Sequence, residues 1–282
     1  MAVTGRAKLR CMAWFMDLAL SRRLERTEGA VGASFTALQR TRAPALGACW
    51  QDFDGAYAIF DGAQSPLTQT FGLGLFAPVS ATSLSAIEMF FTSRGAPVMH
   101  EVSPMAGVEA VQLLVERGYQ PIELSTVLVQ AIAELPAPVA AAGLHARPLD
   151  PDERAAWVET SVAGWSADPA FAPIIRAMSE LTSVHPAMQH YVVERDGAPI
   201  ATGSFAIHEG VALLAGASTI PAARGLGAQA VLLGARLAEA QRRGCDLAMM
   251  VAAAGSTSQR NAERRGFRVA YTRTKWQLTA PR

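Results

Sequence analysis

The chain lacks several features that would place it in large and easily recognised classes of protein. Among its 282 residues, no apolar run reaches the roughly 18 residues that a membrane span requires, so we expect no membrane partner. Its 25 basic and 24 acidic side chains give a formal net charge of +1, and no block of Lys and Arg is present. Because nucleic-acid binding normally needs such a basic surface, we expect no nucleic-acid partner.

Cysteine is scarce as well: Cys11, Cys49 and Cys245 are widely spaced and form no Cys-x-x-Cys pair. A sparse, odd set of this kind predicts reduced thiols and a cytoplasmic location. The sequence also lacks the Gly-x-Ser-x-Gly turn of serine hydrolases and any histidine spacing typical of a metal site. We therefore expect no bound metal and find no support for a serine or cysteine nucleophile.

Half of the residues are hydrophobic, and the chain is long enough for two cores. The stretch from Leu135 to Gly143 holds two prolines and several small residues, which suit an exposed connector. We place a boundary there, which predicts domains at residues 1–142 and 143–282. Just after it, Asp150 as N-cap and Pro151 at the first helical position begin a new helix.

The second half alternates between strand and helix patterns. Two hairpins, with turns at Arg195–Gly197 and His208–Gly210, lead into an apolar strand at Val211–Ile220. A helix at Ala228–Arg243 and another apolar strand from Leu247 follow. Hairpins that lead into a strand–helix–strand crossover predict an α/β fold, with an α+β mixed sheet.

The first half shows a weaker version of the same pattern. Both halves close with a helix, a Gly-aromatic pair (Gly118-Tyr119 and Gly266-Phe267) and a strand. This echo indicates two copies of one fold in tandem. At the start of the chain, Asp17 is expected to cap a helix that ends at Gly29.

The most informative segment joins the strand at Val211–Ile220 to the helix after it. Pro221 ends the strand, Arg224-Gly225-Leu226-Gly227 forms a turn, and the helix begins at Ala228. The glycines permit positive φ, and the first-turn N–H groups with the helix dipole make an anion site. A dinucleotide-binding site is disfavoured, because Ala230 replaces the third glycine of Gly-x-Gly-x-x-Gly and no acid ends the next strand.

This segment resembles the R/Q-x-x-G-x-G/A motif of the GNAT superfamily of N-acetyltransferases. Downstream, Asn261–Phe267 is similar to a second family motif, a short helix ending in Gly-Phe. The resemblance covers the last third of the chain well and implies two acyl-CoA N-acyltransferase folds in tandem, the first degenerate. It also implies acetyl-CoA as cofactor. The residues implied to hold it are Ala217, Ser218 and Thr219 at the strand end; Arg224, Gly225, Leu226, Gly227, Ala228 and Gln229 in the turn and the start of the helix; and Asn261 in the second motif.

The implied activity is direct transfer of an acetyl group from acetyl-CoA to a primary amine of a small molecule. The strands at Val211–Ile220 and Leu247–Ala252 would splay apart to admit the pantetheine arm. For the acceptor amine, the candidate residues are Trp165, Asp168 and Phe171, in the loop between the first two helices of the second half.

Two departures from the family pattern leave the chemistry open. Ala222 replaces the first R/Q position, and Ala262 stands where many members place a general-acid tyrosine. Tyr271 and Ser258 are the substitutes we consider for the acid, and Glu209 is a candidate base. A non-catalytic acyl-CoA-binding regulator is therefore an alternative, whereas a tRNA-dependent aminoacyl or peptide-type transferase is disfavoured by the net charge. A homodimer is compatible with the sequence.

Overall fold

The computed structural model describes residues 15–135, 141–165 and 172–279. Those residues form one mixed sheet of eleven strands, with helices on both faces. The helices are α1 (Leu18–Arg42), α2 (Ala81–Thr92), α3 (Val108–Glu116), α4 (Arg154–Trp165), α5 (Ala172–Ser183), α6 (Ala228–Arg242) and α7 (Thr257–Glu263). The strands are β1 (Cys49–Phe53), β2 (Ala56–Phe60), β3 (Gln69–Phe71), β4 (Met99–Val102), β5 (Tyr119–Ala131), β6 (Leu144–Pro148), β7 (Met188–Arg195), β8 (Ala198–His208), β9 (Val211–Thr219), β10 (Leu247–Ala253) and β11 (Arg268–Leu278).

The two halves repeat one order of elements. A hairpin, a strand, a helix, a parallel strand, a second helix and a long antiparallel strand follow one another as β1-β2-β3-α2-β4-α3-β5 and again as β7-β8-β9-α6-β10-α7-β11. This repetition confirms the tandem arrangement that the Gly-aromatic echo indicated. Asp150 accepts a hydrogen bond from the Asp152 N–H, as expected of an N-cap.

The final strand of each half is exchanged with that of the other. Across the sheet the order is β1-β2-β3-β4-β11-β5-β10-β9-β8-β7-β6. β5 of the first half thus pairs with β10 of the second, and β11 of the second half pairs with β4 of the first. The division near residue 142 stays a prediction about the chain, but the two halves share a single hydrogen-bonded sheet.

Helix α1 packs against both halves. It begins at Asp17, whose side chain accepts from the Leu20 N–H, and it runs to Arg42. The expected end at Gly29 is therefore wrong. Gly29 and Gly32 serve close packing instead, since a Cβ on Gly29 would lie 3.1 Å from Tyr57 and one on Gly32 would lie 2.5 Å from Ile59 of β2.

Five charged side chains are buried or half-buried between α1 and the exchanged strands, and we call them the ionic cluster: Glu25, Glu28, Glu101, Arg273 and Lys275. Arg273, only 2% exposed, pairs with Glu25 at 3.0 Å, with Glu101 at 3.0 Å and with Glu28. Lys275 lies 3.3 Å from Glu101. Buried charges are tolerated when they are paired in this way, and removing one partner is costly. The cluster therefore joins α1, β4 and β11, which come from both halves.

Two findings concern the membrane and the cysteines. Within the described residues, no helix is long and apolar enough to cross a membrane. Cys49 and Cys245 carry free thiols, and Cys11 lies outside the described residues.

Candidate active site

The site begins where the two central parallel strands of the second half separate. β9 and β10 pair only at Val211–Leu247, Ala212–Ala248 and Leu213–Met249. Both strands continue beyond that point, β9 to Thr219 and β10 to Ala253. The expected splay is present, and it opens a cleft toward the carboxyl ends of the two strands.

A β-bulge lies in β9 along this cleft. Thr202 faces Ser218 and Ser204 faces Ala215, so Gly203 alone stands opposite Gly216 and Ala217. Gly216 is exposed and has φ 63°, a conformation that favours glycine. A bulge leaves its extra residue without a ladder partner. The backbone N–H and C=O groups at the bulge are therefore free to form hydrogen bonds with a ligand in the cleft.

Gly216 was not among the residues predicted from the sequence. The signal was present, since an isolated glycine within an otherwise apolar strand often marks a bulge or a close backbone approach.

The loop at the end of β9 forms a cradle of N–H groups. Gly225 has φ 81° and Gly227 has φ 90°, which meets the expectation that both glycines adopt positive φ. Among the described residues, no hydrogen-bond acceptor is found for the five consecutive N–H groups from Gly225 to Gln229. A Cβ on Gly225 would meet nothing within 4 Å, so the space beside it is open. We call the segment 225–229 the N–H cradle, and its geometry fits a phosphate group.

Two side chains brace the cradle from behind. Arg224 donates to the carbonyl oxygen of Gly164 at 3.0 Å, at the end of α4. Gln229 donates to the Ser218 carbonyl oxygen at 2.9 Å and to the Thr219 hydroxyl at 2.8 Å. These bonds tie the start of α6 and the end of α4 to the end of β9. Both residues lie at the cradle, and their contact with a cofactor stays a prediction.

The strand end itself is tightly packed. Ser218 is buried, and its hydroxyl donates to the Ser161 carbonyl oxygen at 3.3 Å. Gly164 allows this approach, because a Cβ there would lie 2.5 Å from the Ser218 hydroxyl oxygen. Ala217 is half-buried against the core beneath α6. The backbone of residues 217–219 therefore forms a rigid edge of the cleft.

The corresponding loop of the first half is filled by its own side chains. A Cβ on Gly74 would lie 3.0 Å from Ala106, and the Phe76 ring packs 3.2 Å from the Cβ position of Gly72. The start of α2 is closed by a capping box between Ser80 and Ser83, whereas Gly227 at the start of α6 offers no side-chain cap. The first half therefore has no room for a phosphate at this position, which agrees with its expected degeneracy.

Two of the three catalytic candidates, Tyr271 and Glu209, lie away from the cleft. Tyr271 is buried beneath α1 and donates to Glu25 at 2.7 Å. It faces Val127 of β5, and β5 and β10 separate it from the cleft. Glu209 lies in the turn before β9, at the end where β9 and β10 are still paired. Neither side chain therefore lies at the cleft, and a catalytic role for either stays a prediction that this placement disfavours.

Ser258 and Asn261 lie on α7, both exposed. Within the described residues, neither side chain contacts the bulge, so the roles of Ser258 and Asn261 stay predictions. Ala262 of the same helix is 2% exposed and packs in the core under α6. Its side chain therefore points away from solvent and supplies no acid.

The acceptor candidates can be placed only in part. Trp165 is 51% exposed at the end of α4, next to Gly164, whose carbonyl oxygen Arg224 binds. It thus stands near the mouth of the cleft. Asp168 and Phe171 lie outside the described residues.

A second concave surface lies away from the cleft, where the first half meets β11. It is a groove of about 1070 Å³ lined by the ends of α2 and α3 and by Trp276. Within it, Arg117 pairs with Glu88, and Glu88 accepts from the Tyr119 hydroxyl at 3.1 Å. Burial, with the nearby Glu88 carboxylate, raises the pKa of Tyr119 far above its usual range. Arg117, Glu88 and Tyr119 thus form hydrogen bonds and an ion pair with one another, and none of them faces the N–H cradle.

Comparisons with known proteins agree with this architecture. Residues 152–267 match the acetyltransferase (GNAT) family. No curated protein sequence matches the chain. A GCN5-related N-acetyltransferase from Kribbella flavida is 19% identical, with a TM-score of 0.67 over 88% of this chain and 96% of that one.

Two further solved structures share the fold. A GCN5-related N-acetyltransferase from Sphaerobacter thermophilus is 17% identical, with a TM-score of 0.57 over 76% of this chain and 73% of that one. A tandem GNAT protein from the clavulanic acid biosynthesis pathway is 13% identical, with a TM-score of 0.57 over 80% of this chain and 79% of that one. At these identities the likeness concerns the fold. Members of the GNAT family typically use acetyl-CoA. Residues 152–267 are therefore similar to the GNAT acetyltransferase family, and the chain has the mixed α/β fold seen in a tandem GNAT protein.

Proposed function

We propose that the protein is an N-acetyltransferase that moves an acetyl group from acetyl-CoA to a primary amine of a small molecule, within a ternary complex. The observation that carries the proposal is the N–H cradle, which lies directly at the mouth of the β9–β10 splay. A pyrophosphate fits the cradle, and a pantetheine arm fits the splay. Only an extended ligand with both groups uses the two features together.

The residues at the cleft have separate tasks in this proposal. The N–H groups from Gly225 to Gln229 bind the pyrophosphate, assisted by the dipole of α6. The rigid strand end at residues 217–219 holds the pantetheine. The bulge at Gly216 donates a backbone N–H to the thioester oxygen and stabilises negative charge there.

The reaction balances without a protein nucleophile. The amine nitrogen attacks the thioester carbonyl carbon, so a C–N bond forms and the carbonyl electron pair moves to oxygen. The carbonyl is then restored as the C–S bond breaks, and CoA leaves as a thiolate. A free thiol has a pKa of about 8.5, so the thiolate leaves near neutral pH with little help from an acid. The acceptor ammonium loses one proton to solvent before the attack, and its nitrogen loses a second to solvent as the amide forms.

The alternative is an acyl-CoA-binding regulator without catalysis. Two observations favour it: Ala262 is buried and carries no acidic proton, and Tyr271 is held by Glu25 away from the cleft. The regulator would use the same N–H cradle and splay, so binding alone does not separate the two functions.

Single-turnover acetyl transfer separates them. Excess enzyme is mixed with acetyl-CoA carrying a labelled acetyl group and with amino acids, polyamines, amino-sugar antibiotics or peptides with free N-termini. Labelled amide with release of one thiol per acetyl group supports the transferase. Tight binding of acetyl-CoA with no amide above the uncatalysed rate in any mixture supports the regulator. A cytoplasmic location stays a prediction, favoured by the free thiols of Cys49 and Cys245.

A further inference from the structure

Arg236 is a buried cation that lacks a carboxylate partner. It lies on the inner face of α6, is 3% exposed, and donates one hydrogen bond, at 3.1 Å, to the Ser204 carbonyl oxygen. Its Nε atom has no partner, and no ion pair to Arg236 occurs within the described ranges. Burial lowers the pKa of Arg236 to about 10, which leaves the guanidinium charged at neutral pH.

The other deeply buried arginine of the described residues, Arg273, has three carboxylate partners. Arg242 and Arg243, at the exposed end of α6, both pair with Glu239. An unpaired buried charge costs several kcal/mol, and a methionine of similar volume would avoid that cost. A purely structural role therefore does not account for an arginine at position 236.

The guanidinium of Arg236 packs against β8, the strand that pairs with the bulged strand β9. A Cβ on Gly203 would be 3.1 Å from Arg236 Nη1 and 3.2 Å from Cζ, so the absent side chain of Gly203 makes room for the charge. Gly203 is the residue opposite Gly216 and Ala217. Neighbouring strands lie about 4.8 Å apart, which places the charge roughly 10 Å from the cleft side of the bulge.

We propose that Arg236 supplies a fixed positive field that stabilises negative charge on the thioester oxygen at the β9 bulge. The inference rests on the proposed function, because it concerns the oxygen that gains the electron pair when the amine nitrogen bonds to the carbonyl carbon. Arg236 neither gives nor takes a proton in this step and does not touch the substrate. Its field acts through a low-dielectric core in which no carboxylate of the described residues pairs with it, so it is weakly screened.

The thioester carbonyl itself reports this field. Isotope-edited infrared spectroscopy of acetyl-CoA carrying a ¹³C carbonyl measures the C=O stretching frequency in the bound state, and no acceptor is needed. We expect wild type to lower the frequency relative to free acetyl-CoA, and Arg236→Met to show a clearly smaller shift. The dissociation constant for acetyl-CoA should change little, because the N–H cradle is untouched. With any amine that proves to be an acceptor, kcat should fall roughly tenfold.

Matched variants separate the field from a packing effect. Arg243→Met removes a carboxylate-paired charge from the same helix and should leave the carbonyl frequency unchanged. Arg236→Lys keeps a charge and should retain part of the shift. Gly203→Ala displaces the guanidinium without removing it and should weaken the shift, which keeps the test usable if Arg236→Met does not fold.

The outcomes are distinct. Equal carbonyl frequencies in wild type, Arg236→Met and Gly203→Ala, all with acetyl-CoA bound, would overturn the role of Arg236 and leave the proposed function intact. No binding of acetyl-CoA to wild type would instead refute the proposed function, and this inference with it.

Discussion

Replacing Glu28 by Gln should change how the stability of the protein depends on pH. Glu28 lies on α1 in the ionic cluster and pairs with Arg273 of β11. Burial, which dominates, and the neighbouring Glu25 and Glu101 carboxylates raise the pKa of Glu28 from 4.5 to about 7, against the opposing effect of Arg273. The folded protein therefore keeps a proton on this carboxyl that the unfolded chain has released.

The sign follows from proton linkage. Between pH 4.5 and about 7 the folded state binds more protons at Glu28 than the unfolded state, so the free energy of unfolding falls as pH rises through this window. The contribution of protonated Glu28 to the free energy of unfolding is fully present below pH 4.5 and is lost by about pH 7. At 1.36 kcal/mol for each pKa unit, the shift corresponds to about 3 kcal/mol. Glu28→Gln removes this titration.

Urea unfolding of both proteins at several pH values from 5 to 8 measures the effect. The stability of Glu28→Gln relative to wild type should rise by up to about 3 kcal/mol across that range. Glu109→Gln, at an exposed position of α3, is the control and should follow the wild-type pH profile. Parallel profiles for wild type and Glu28→Gln would refute the reasoning about the ionic cluster.

Two further predictions concern the packing at Gly164 and the catalytic candidate Tyr271. Gly164→Ala should destabilise the protein by about 1–3 kcal/mol in the same urea assay, because the new Cβ would lie 2.5 Å from the Ser218 hydroxyl oxygen. The control is Gly234→Ala on α6, where the new Cβ meets nothing within 4 Å, and this variant should be neutral or stabilising. Equal costs for the two would contradict this packing. Tyr271→Phe should lower stability by roughly 1–2 kcal/mol, since Glu25 loses a buried donor, and should leave the rate of acetyl transfer unchanged. A large loss of that rate in a folded Tyr271→Phe protein would restore Tyr271 as a catalytic residue.

Local features of the fold were readable from the sequence. The Asp150 cap, the tight turn at Asp196–Gly197 and the glycines of the N–H cradle each depend on residues close together in the chain. Steric preference decides such features, so the residue types alone predict them.

Features that depend on distant contacts were missed or misjudged. The exchange of β5 and β11 leaves no local signature, because either order of the two strands satisfies the same apolar pattern. Gly29 was taken as a helix end, although it is required by the approach of Tyr57, 28 residues later. Tyr271 was a candidate acid until its partner, Glu25, proved to lie 246 residues away on α1. The lone charge of Arg236 also becomes visible only once the core around it is known.

The central claim is that the N–H cradle binds the pyrophosphate of acetyl-CoA, and a calorimetric titration of Leu226 variants tests it most directly. Leu226 is 41% exposed between the two positive-φ glycines and has an ordinary φ itself, so its replacement should not disturb the fold. Leu226→Glu places a negative charge beside the phosphates and should weaken binding of acetyl-CoA at least about tenfold, while the neutral Leu226→Gln should bind within about threefold of wild type. Equal affinities in the two variants, or no binding of acetyl-CoA to wild type at millimolar concentration, would contradict the account.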